Sequence, residues 1–169
     1  NLVPTPNSAN EFPLVNLESG YFNWTVRCID SDPDLNPFTP ANESFIIDML
    51  GPSIALNNPT DGAIFNTDDI FFNFTATDFF GANNLTCNIT LDGNVNVSGI
   101  FAASGVSNGS LIENLSQGIH SWNVTCLDDF NNTNTSVTYT FTINSPDLQI
   151  NDSLIRFNNT NPNENDSIL

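Results

Sequence analysis

Residues 20–36 and 118–134 carry one pattern twice, and this internal repeat limits the folds open to the chain more than any other feature. Gly20, Trp24, Val26, Cys28, Asp30 and Asn36 match Gly118, Trp122, Val124, Cys126, Asp128 and Asn134 at a constant offset of 98. After a loop two residues longer in the first copy, Phe45-Ile46-Ile47-Asp48 meets Phe141-Thr142-Ile143-Asn144 at an offset of 96. A unit of this length suits one two-sheet β-sandwich.

The local periodicity agrees. From Pro52 to Asn144 the sequence predicts seven strand-like runs: 53–57, 70–77, 85–91, 95–98, 110–115, 120–127 and 136–143. Turn clusters at 58–62 (N-P-T-D-G) and 91–94 (L-D-G-N) separate them. Apolar residues alternate strictly along four runs: Phe72, Phe74, Ala76; Leu85, Cys87, Ile89, Leu91; Trp122, Val124, Cys126; and Val137, Tyr139, Phe141, Ile143. A period of two describes strands with one buried and one wet face. No comparable 3.6-residue stripe exists, so almost no helix is expected.

The fold class that follows is all-β, with tandem immunoglobulin-like or fibronectin-III-like sandwiches. Residues 49–144 are expected to form a complete sandwich and 1–48 the C-terminal half of another, with Pro13-Leu14-Val15-Asn16-Leu17 standing where Leu111-Ile112-Glu113-Asn114-Leu115 stands. Residues 145–169 read as the opening strands of a further one. The chain begins at Asn1 without an initiator Met or a leader pattern, which reads as a mature protein or an excised fragment.

Secretion is inferred from sequons. With 29 Asn and 31 Ser plus Thr, chance gives about five N-x-S/T acceptors. The chain has fourteen: Asn23, Asn42, Asn73, Asn84, Asn88, Asn96, Asn108, Asn114, Asn123, Asn131, Asn134, Asn151, Asn158 and Asn165. A glycan grows only from a side chain that reaches solvent. Asn73, Asn88 and Asn123 take the outward parity of their strands, and Asn84, Asn108, Asn131 and Asn134 are expected in turns. Three cysteines make an odd set that the repeat explains. Cys87 and Cys126 share the inward parity, on strands expected to face each other across the core, and are predicted to form a disulfide beside Trp122. Cys28, the counterpart of Cys126, is expected to be unpaired within this chain.

Nineteen acidic residues face Arg27, Arg156 and no Lys, a net charge of −17. Nucleic acid is excluded as an expected partner, because phosphate neutralisation needs cationic side chains. No apolar run approaches the roughly 20 residues that span a bilayer, so no membrane insertion is expected in this segment. An apolar content of 39% with fourteen Phe suffices for packed cores.

The segments N-x-P-x-D-G, F-x-F-T-A-T-D, N-L-T-C-x-I-x-L-D-G and L-x-x-G-x-H-x-W-x-V-x-C-x-D, carried by residues 57–128, resemble the immunoglobulin-like repeats of large archaeal and bacterial cell-surface proteins. The resemblance covers about 93 residues of the full copy and 48 of the partial one. Residues 146–166 are similar to the start of a cell-adhesion-related domain. The resemblance implies extracellular stalks, adhesins or filaments and carries no catalytic residues; the sequon density with so few basic residues leans toward an archaeal surface protein.

No enzyme is expected. His120 is the single histidine, and its counterpart in the first copy is Phe22. The constellation with metal-ligand spacing is Asp30, Asp32, Asp34 and Asn36, oxygens at every second position of a loop, which suits calcium; Asp128, Asp129, Asn131, Asn132 and Asn134 are softer counterparts. No other cofactor is expected besides N-linked glycans. The expected role is a structural or stalk segment of a glycosylated extracellular protein or filament, partnered by copies of itself through strand complementation or by adjoining domains of a longer chain. The alternative is an adhesin-type module that binds a glycan or protein through end loops, with Ile100 and Phe101 in a long loop at 99–109.

Overall fold

A computed structural model describes residue 11 and residues 13–14, 16–26, 41–80 and 84–144. These residues form eleven strands and no helix. The strands are β1 (Gly20–Trp24), β2 (Glu43–Ile47), β3 (Ser53–Asn58), β4 (Ala63–Phe65), β5 (Ile70–Thr77), β6 (Asn84–Leu91), β7 (Asn94–Ala103), β8 (Ser107–Ile112), β9 (Gly118–Leu127), β10 (Thr133–Thr135) and β11 (Tyr139–Ile143). The fold is all-β and sandwich-like.

Strands β3, β5 and β8 make one antiparallel sheet in the order β3-β5-β8. The second runs β4-β11-β9-β6-β7, with β10 also on β9; β4 joins β11 in parallel and the other pairs are antiparallel. The alternating residues decide how the sheets meet. Ile70, Phe72, Phe74 and Ala76 from β5 are buried against Leu85, Cys87, Ile89 and Leu91 of β6, Trp122, Val124 and Cys126 of β9, and Phe141 and Ile143 of β11. At the centre Phe72 makes edge contacts with Trp122 (5.0 Å between centroids) and Phe141 (5.6 Å). Such aromatic pairs add about 0.5–1.5 kcal/mol each beyond the area they bury. The indole N–H of Trp122 donates to the Pro59 carbonyl at 3.2 Å, so its one polar atom is satisfied inside.

The turns follow their residues. Asp92 and Gly93 both have positive φ (50° and 78°) and close the two-residue β6–β7 hairpin, the geometry whose twist matches the flanking strands. In N-P-T-D-G, Asp61 Oδ1 accepts from the Thr140 N–H at 2.8 Å and Gly62 N–H donates to the Thr140 carbonyl at 2.7 Å, which ties the turn to β11.

Three sequence expectations change. The run 136–143 is not one strand: Ser136 Oγ accepts from the Val124 N–H at 3.0 Å in place of a backbone carbonyl. The register against β9 slips by one residue between Thr135↔Thr125 and Tyr139↔Trp122. Val137, expected inward, is therefore exposed. Second, β7 runs past Ser98 to Ala103, so the expected loop at 99–109 is largely strand, turned by Gly105 at positive φ. Phe101 stands outside the core and Ile100 packs against it. Third, β4 and β10 lack an alternating apolar signature and were not expected.

Strands β1 and β2 pair separately, and they repeat the register of β9 and β11. Gly20↔Ile47, Phe22↔Phe45 and Trp24↔Glu43 match Gly118↔Ile143, His120↔Phe141 and Trp122↔Tyr139. Even the ring stack is kept, with centroids 5.3 Å apart for Phe22–Phe45 and 5.4 Å for His120–Phe141.

Chemical denaturation tests this packing. Phe72→Ala is expected to cost about 3–5 kcal/mol, whereas Val137→Thr stays within about 0.5 kcal/mol. Comparable losses at both positions would show that the register slip at Ser136 is wrong.

Candidate functional site

Eleven of the fourteen sequon asparagines fall among the described residues, and none is buried. Asn23, Asn42, Asn84, Asn96, Asn114, Asn131 and Asn134 are exposed; Asn73, Asn88, Asn108 and Asn123 are half-buried on strand faces. Asn108 and Asn134, expected in turns, lie in β8 and β10, and Asn84 opens β6. Asn151, Asn158 and Asn165 lie outside the described residues.

The carboxamides differ in what they leave free. Asn73 Oδ1 accepts from Asn57 Nδ2 and from Ser107 Oγ, both at 2.8 Å, and Asn88 Oδ1 accepts from the Gly99 N–H at 2.9 Å. Both side chains are pinned through oxygen, with the nitrogen that would carry a sugar not used in these bonds. Asn108 and Asn134 instead donate from Nδ2 to the carbonyls of Phe101 (2.6 Å) and Pro52 (3.0 Å), and Asn123 donates to Thr138 Oγ1 at 3.2 Å.

Cys87 and Cys126 form a disulfide with S–S 2.09 Å. Its placement differs from the expected bridge across the core. The two residues are directly opposite on β6 and β9, neighbours in one sheet, with Cα atoms 4.1 Å apart, so the bridge staples a sheet. Parity fixes which face a cysteine takes but not which sheet its strand joins. Closing a loop of 39 residues contributes about 3–4 kcal/mol in the chain-entropy account. Trp122 lies on the same inward face with Val124 between it and Cys126, and its ring packs on Phe72. Cys28 lies outside the described residues.

His120 sits at the start of β9, buried and stacked on Phe141. Its Nδ1 is 2.7 Å from Asp92 Oδ2 and its Nε2 is 2.8 Å from the Ser116 carbonyl. Both neighbours are acceptors, so only the doubly protonated ring satisfies both. Burial pulls the His120 pKa down, but the Ser116 carbonyl and the hydrogen bond and charge of Asp92 outweigh it and hold the pKa above the ordinary value. Burial pushes Asp92 up, and the Ser121 N–H at 2.8 Å together with His120 reverses this, leaving its carboxyl below the ordinary range. The pair closes one end of the sandwich, with the Ser121 hydroxyl 3.5 Å from Asp92 Oδ1.

The opposite end of β9 is acidic. Asp48, Asp78 and Asp128 bring one carboxylate oxygen each to within 4.8 Å of the other two. Of these, sequence reasoning had marked only Asp128. The available signal was an aspartate just past a run in each of F-I-I-D, T-A-T-D and T-C-L-D. The segment from Asp48 to Pro52 is laid against the β9–β10 loop: Asn132 Nδ2 donates to the Asp48 carbonyl at 3.2 Å and Asn134 Nδ2 to that of Pro52. A Cβ at Gly51 would meet the Thr133 backbone at 2.7 Å, so only glycine fits there. The sequence-predicted calcium loop, Asp30, Asp32, Asp34 and Asn36, lies outside the described residues.

No protein-family model matches the chain, and no curated protein matches it. Among solved structures, the chain is similar to fibronectin(III)-like modules of Clostridium thermocellum CbhA, at 16% identity and a TM-score of 0.44, over 55% of this chain and 98% of that one.

The His120–Asp92 pair sets a pH dependence. A histidine whose pKa rises on folding stabilises fully below its unfolded value of about 6.5 and loses this as pH climbs through the folded value. An aspartate whose pKa falls stabilises fully above about 3.8 and loses this as pH drops through the folded value. The melting midpoint of the parent relative to His120→Gln is expected to hold level between about pH 4 and 6.5 and to fall above that. Parallel melting curves for the two proteins from pH 6 to 9 would contradict the assignment.

Proposed function

We propose that this chain is a non-catalytic structural segment of a glycosylated extracellular surface protein or filament, in which sandwich repeats act as spacing beads. One observation carries the reading: none of the eleven described sequon asparagines is buried, although every second residue along β5, β6 and β9 is. Random placement on such strands would bury several. The disulfide supports an oxidising compartment, and the charge of −17 supports a soluble, self-repelling surface. Sequon density with two Arg and no Lys fits the archaeal surface proteins that the repeat resembles. No helix among the described residues is long and apolar enough to cross a membrane.

In this reading 49–144 is the complete bead and 1–48 the closing half of a preceding one. Strands β1 and β2 share the register of β9 and β11 but lack, among the described residues, the neighbours that β6 and β4 give those strands. A lone two-stranded ribbon is marginal in water. It is completed by the rest of its repeat, in cis in a longer chain or in trans by strand complementation between copies. The further half-bead assigned to residues 145–169 lies outside the described residues. The second reading, a recognition module, is favoured by Phe101, 75% exposed on β7; contact would then be made from a sheet face rather than an end loop.

Glycopeptide mass spectrometry of the protein from its native cells tests the proposal. Sugars are expected at Asn73, Asn88 and the exposed sites other than Asn134, with the lowest occupancy at Asn108, Asn123 and Asn134, whose amide nitrogens are engaged. An unglycosylated chain with free thiols at Cys87 and Cys126 would overturn it.

A further inference from the structure

Two pairs of large apolar side chains stand exposed on wet strand faces, and each pair flanks a sequon. On the β3-β5-β8 sheet Phe71 lies directly across from Leu111, one rung from Asn73 on the same face. On the other sheet Phe101 of β7 and Leu127 of β9 lie on either side of Thr86 of β6, one rung from Asn88. Side chains two residues apart along one strand face are about 7 Å apart, and diagonal cross-strand neighbours about 7–8 Å. The strand opposite is cut away at both sequons. Asn73 faces Gly109, and Asn88 faces a bulge at Ser98 and Gly99, where Gly99 takes a φ of 71°. Both carboxamides are pinned through Oδ1, by Asn57 and Ser107 at one site and by the Gly99 N–H at the other, with Nδ2 outside these bonds. Asn123, also on an outward strand face, is the contrast: Ser121 and Thr125 beside it and Thr90 across from it are polar, and its Nδ2 donates to Thr138.

We propose that Phe71 with Leu111, and Phe101 with Leu127, are seats for the first sugars linked to Asn73 and Asn88, so that at these two sites the glycan packs as part of the fold. The inference rests on the reading of the chain as N-glycosylated. The C–H groups on one face of a sugar ring are apolar and weakly positive, and an aromatic face is negative, so the two stack. A sugar tethered to the neighbouring asparagine meets its ring at high effective concentration, without the association entropy that a free ligand loses. Glycine opposite the asparagine leaves room beside the linkage. Pinning the oxygen fixes the direction of the nitrogen, which reduces the rotamer freedom lost when the sugar packs. A covering sugar also takes from water the apolar area that these faces otherwise leave exposed. A protein partner docked on Phe101 is the competing occupant, and it gives no reason for the same arrangement to recur around Asn73.

The test is a double-mutant cycle read by thermal melting of the full chain. Each protein is made in glycosylating cells and in a bacterial periplasm, which forms the disulfide without adding N-linked sugars. At each site one variant deletes the acceptor, Thr75→Val or Thr90→Val, and the other deletes the seat, Phe71→Thr or Phe101→Thr. All four put a β-branched residue on an outward strand position, where it is tolerated. Mass spectrometry of the glycosylated protein first reads sugar at Asn73 and Asn88. Deleting the acceptor should then lower the melting midpoint by about 4 °C beyond its effect in the sugar-free protein. Once the ring is replaced by Thr, that extra loss should vanish. Protons of the first sugar should shift upfield in the NMR spectrum under the ring current of Phe71 or Phe101 and return when the ring is removed. Sugar present at a site without coupling to its ring overturns the seat there and leaves the glycosylated structural reading standing. An equal loss in sugar-free protein marks Thr75 or Thr90 as merely structural and also overturns it. Absence of sugar from both asparagines sinks this inference together with the occupancy expected at them.

Discussion

The ring of Phe72, driven from one sheet between Trp122 and Phe141 of the other, is the contact on which the arrangement of the sandwich depends. It places β5 opposite both β9 and β11, and with them the rest of the alternating core. Because strand side chains alternate, fixing one inward residue fixes every second residue along its run. The outward positions are then committed to solvent, and there the Thr residues and sequons stand. Core and polar surface are thus two consequences of one choice of parity. A one-residue slip of β5 would exchange Phe72 and Phe74 for Asn73 and bring a polar amide into the interior.

Much of this was legible in the sequence, because burial writes itself into a chain as a period. The runs of β5, β6 and β9 are buried at each inward position that alternation marks. What was not legible involves information that a period does not carry. The slip at Ser136 comes from a hydroxyl taking the place of a carbonyl, a hydrogen-bonding choice that left Val137 looking like a core residue. The inward parity of Cys87 and Cys126 did not reveal that their strands are neighbours, so a sheet staple passed for a bridge between sheets. The acidic trio was hidden more deeply, since Asp48, Asp78 and Asp128 acquire a relationship only when three strand ends converge. A loop with oxygens at alternate positions draws the eye by being contiguous, which is no measure of whether its ligands converge on a point.

The two copies show which features the repeat holds constant. The hairpin register and the ring stack at its base are the same in both, while the residue that stacks changes from Phe22 to His120. Phenylalanine satisfies the apolar contact alone. Histidine keeps the contact and adds two polar atoms, which the second copy satisfies with the Ser116 carbonyl and Asp92. Asn16 and Asn114, 98 residues apart, share a φ of 58°, so the backbone preceding the hairpin is also copied. Left-handed backbone favours Asn over most side chains, and this gives Asn114 a conformational reason to be Asn apart from its place in a sequon.

The two ends of the bead differ in their electrostatics. At one, Asp92 meets a buried imidazole; at the other, about 26 Å along β9, the carboxylates of Asp48, Asp78 and Asp128 converge. Charge repulsion across a chain of −17 disfavours close end-to-end contact between such beads. A repeat protein must nevertheless fix the angle between successive units if it is to be stiff. Here the contact is concentrated in one short segment: Gly51 lies where no side chain fits, Asn132 and Asn134 grip the carbonyls of Asp48 and Pro52, and the acid-rich cluster sits beside them. That arrangement ties the segment before β3 to the β9–β10 loop by close backbone contacts, while the disulfide and the aromatic core hold the sandwich itself together.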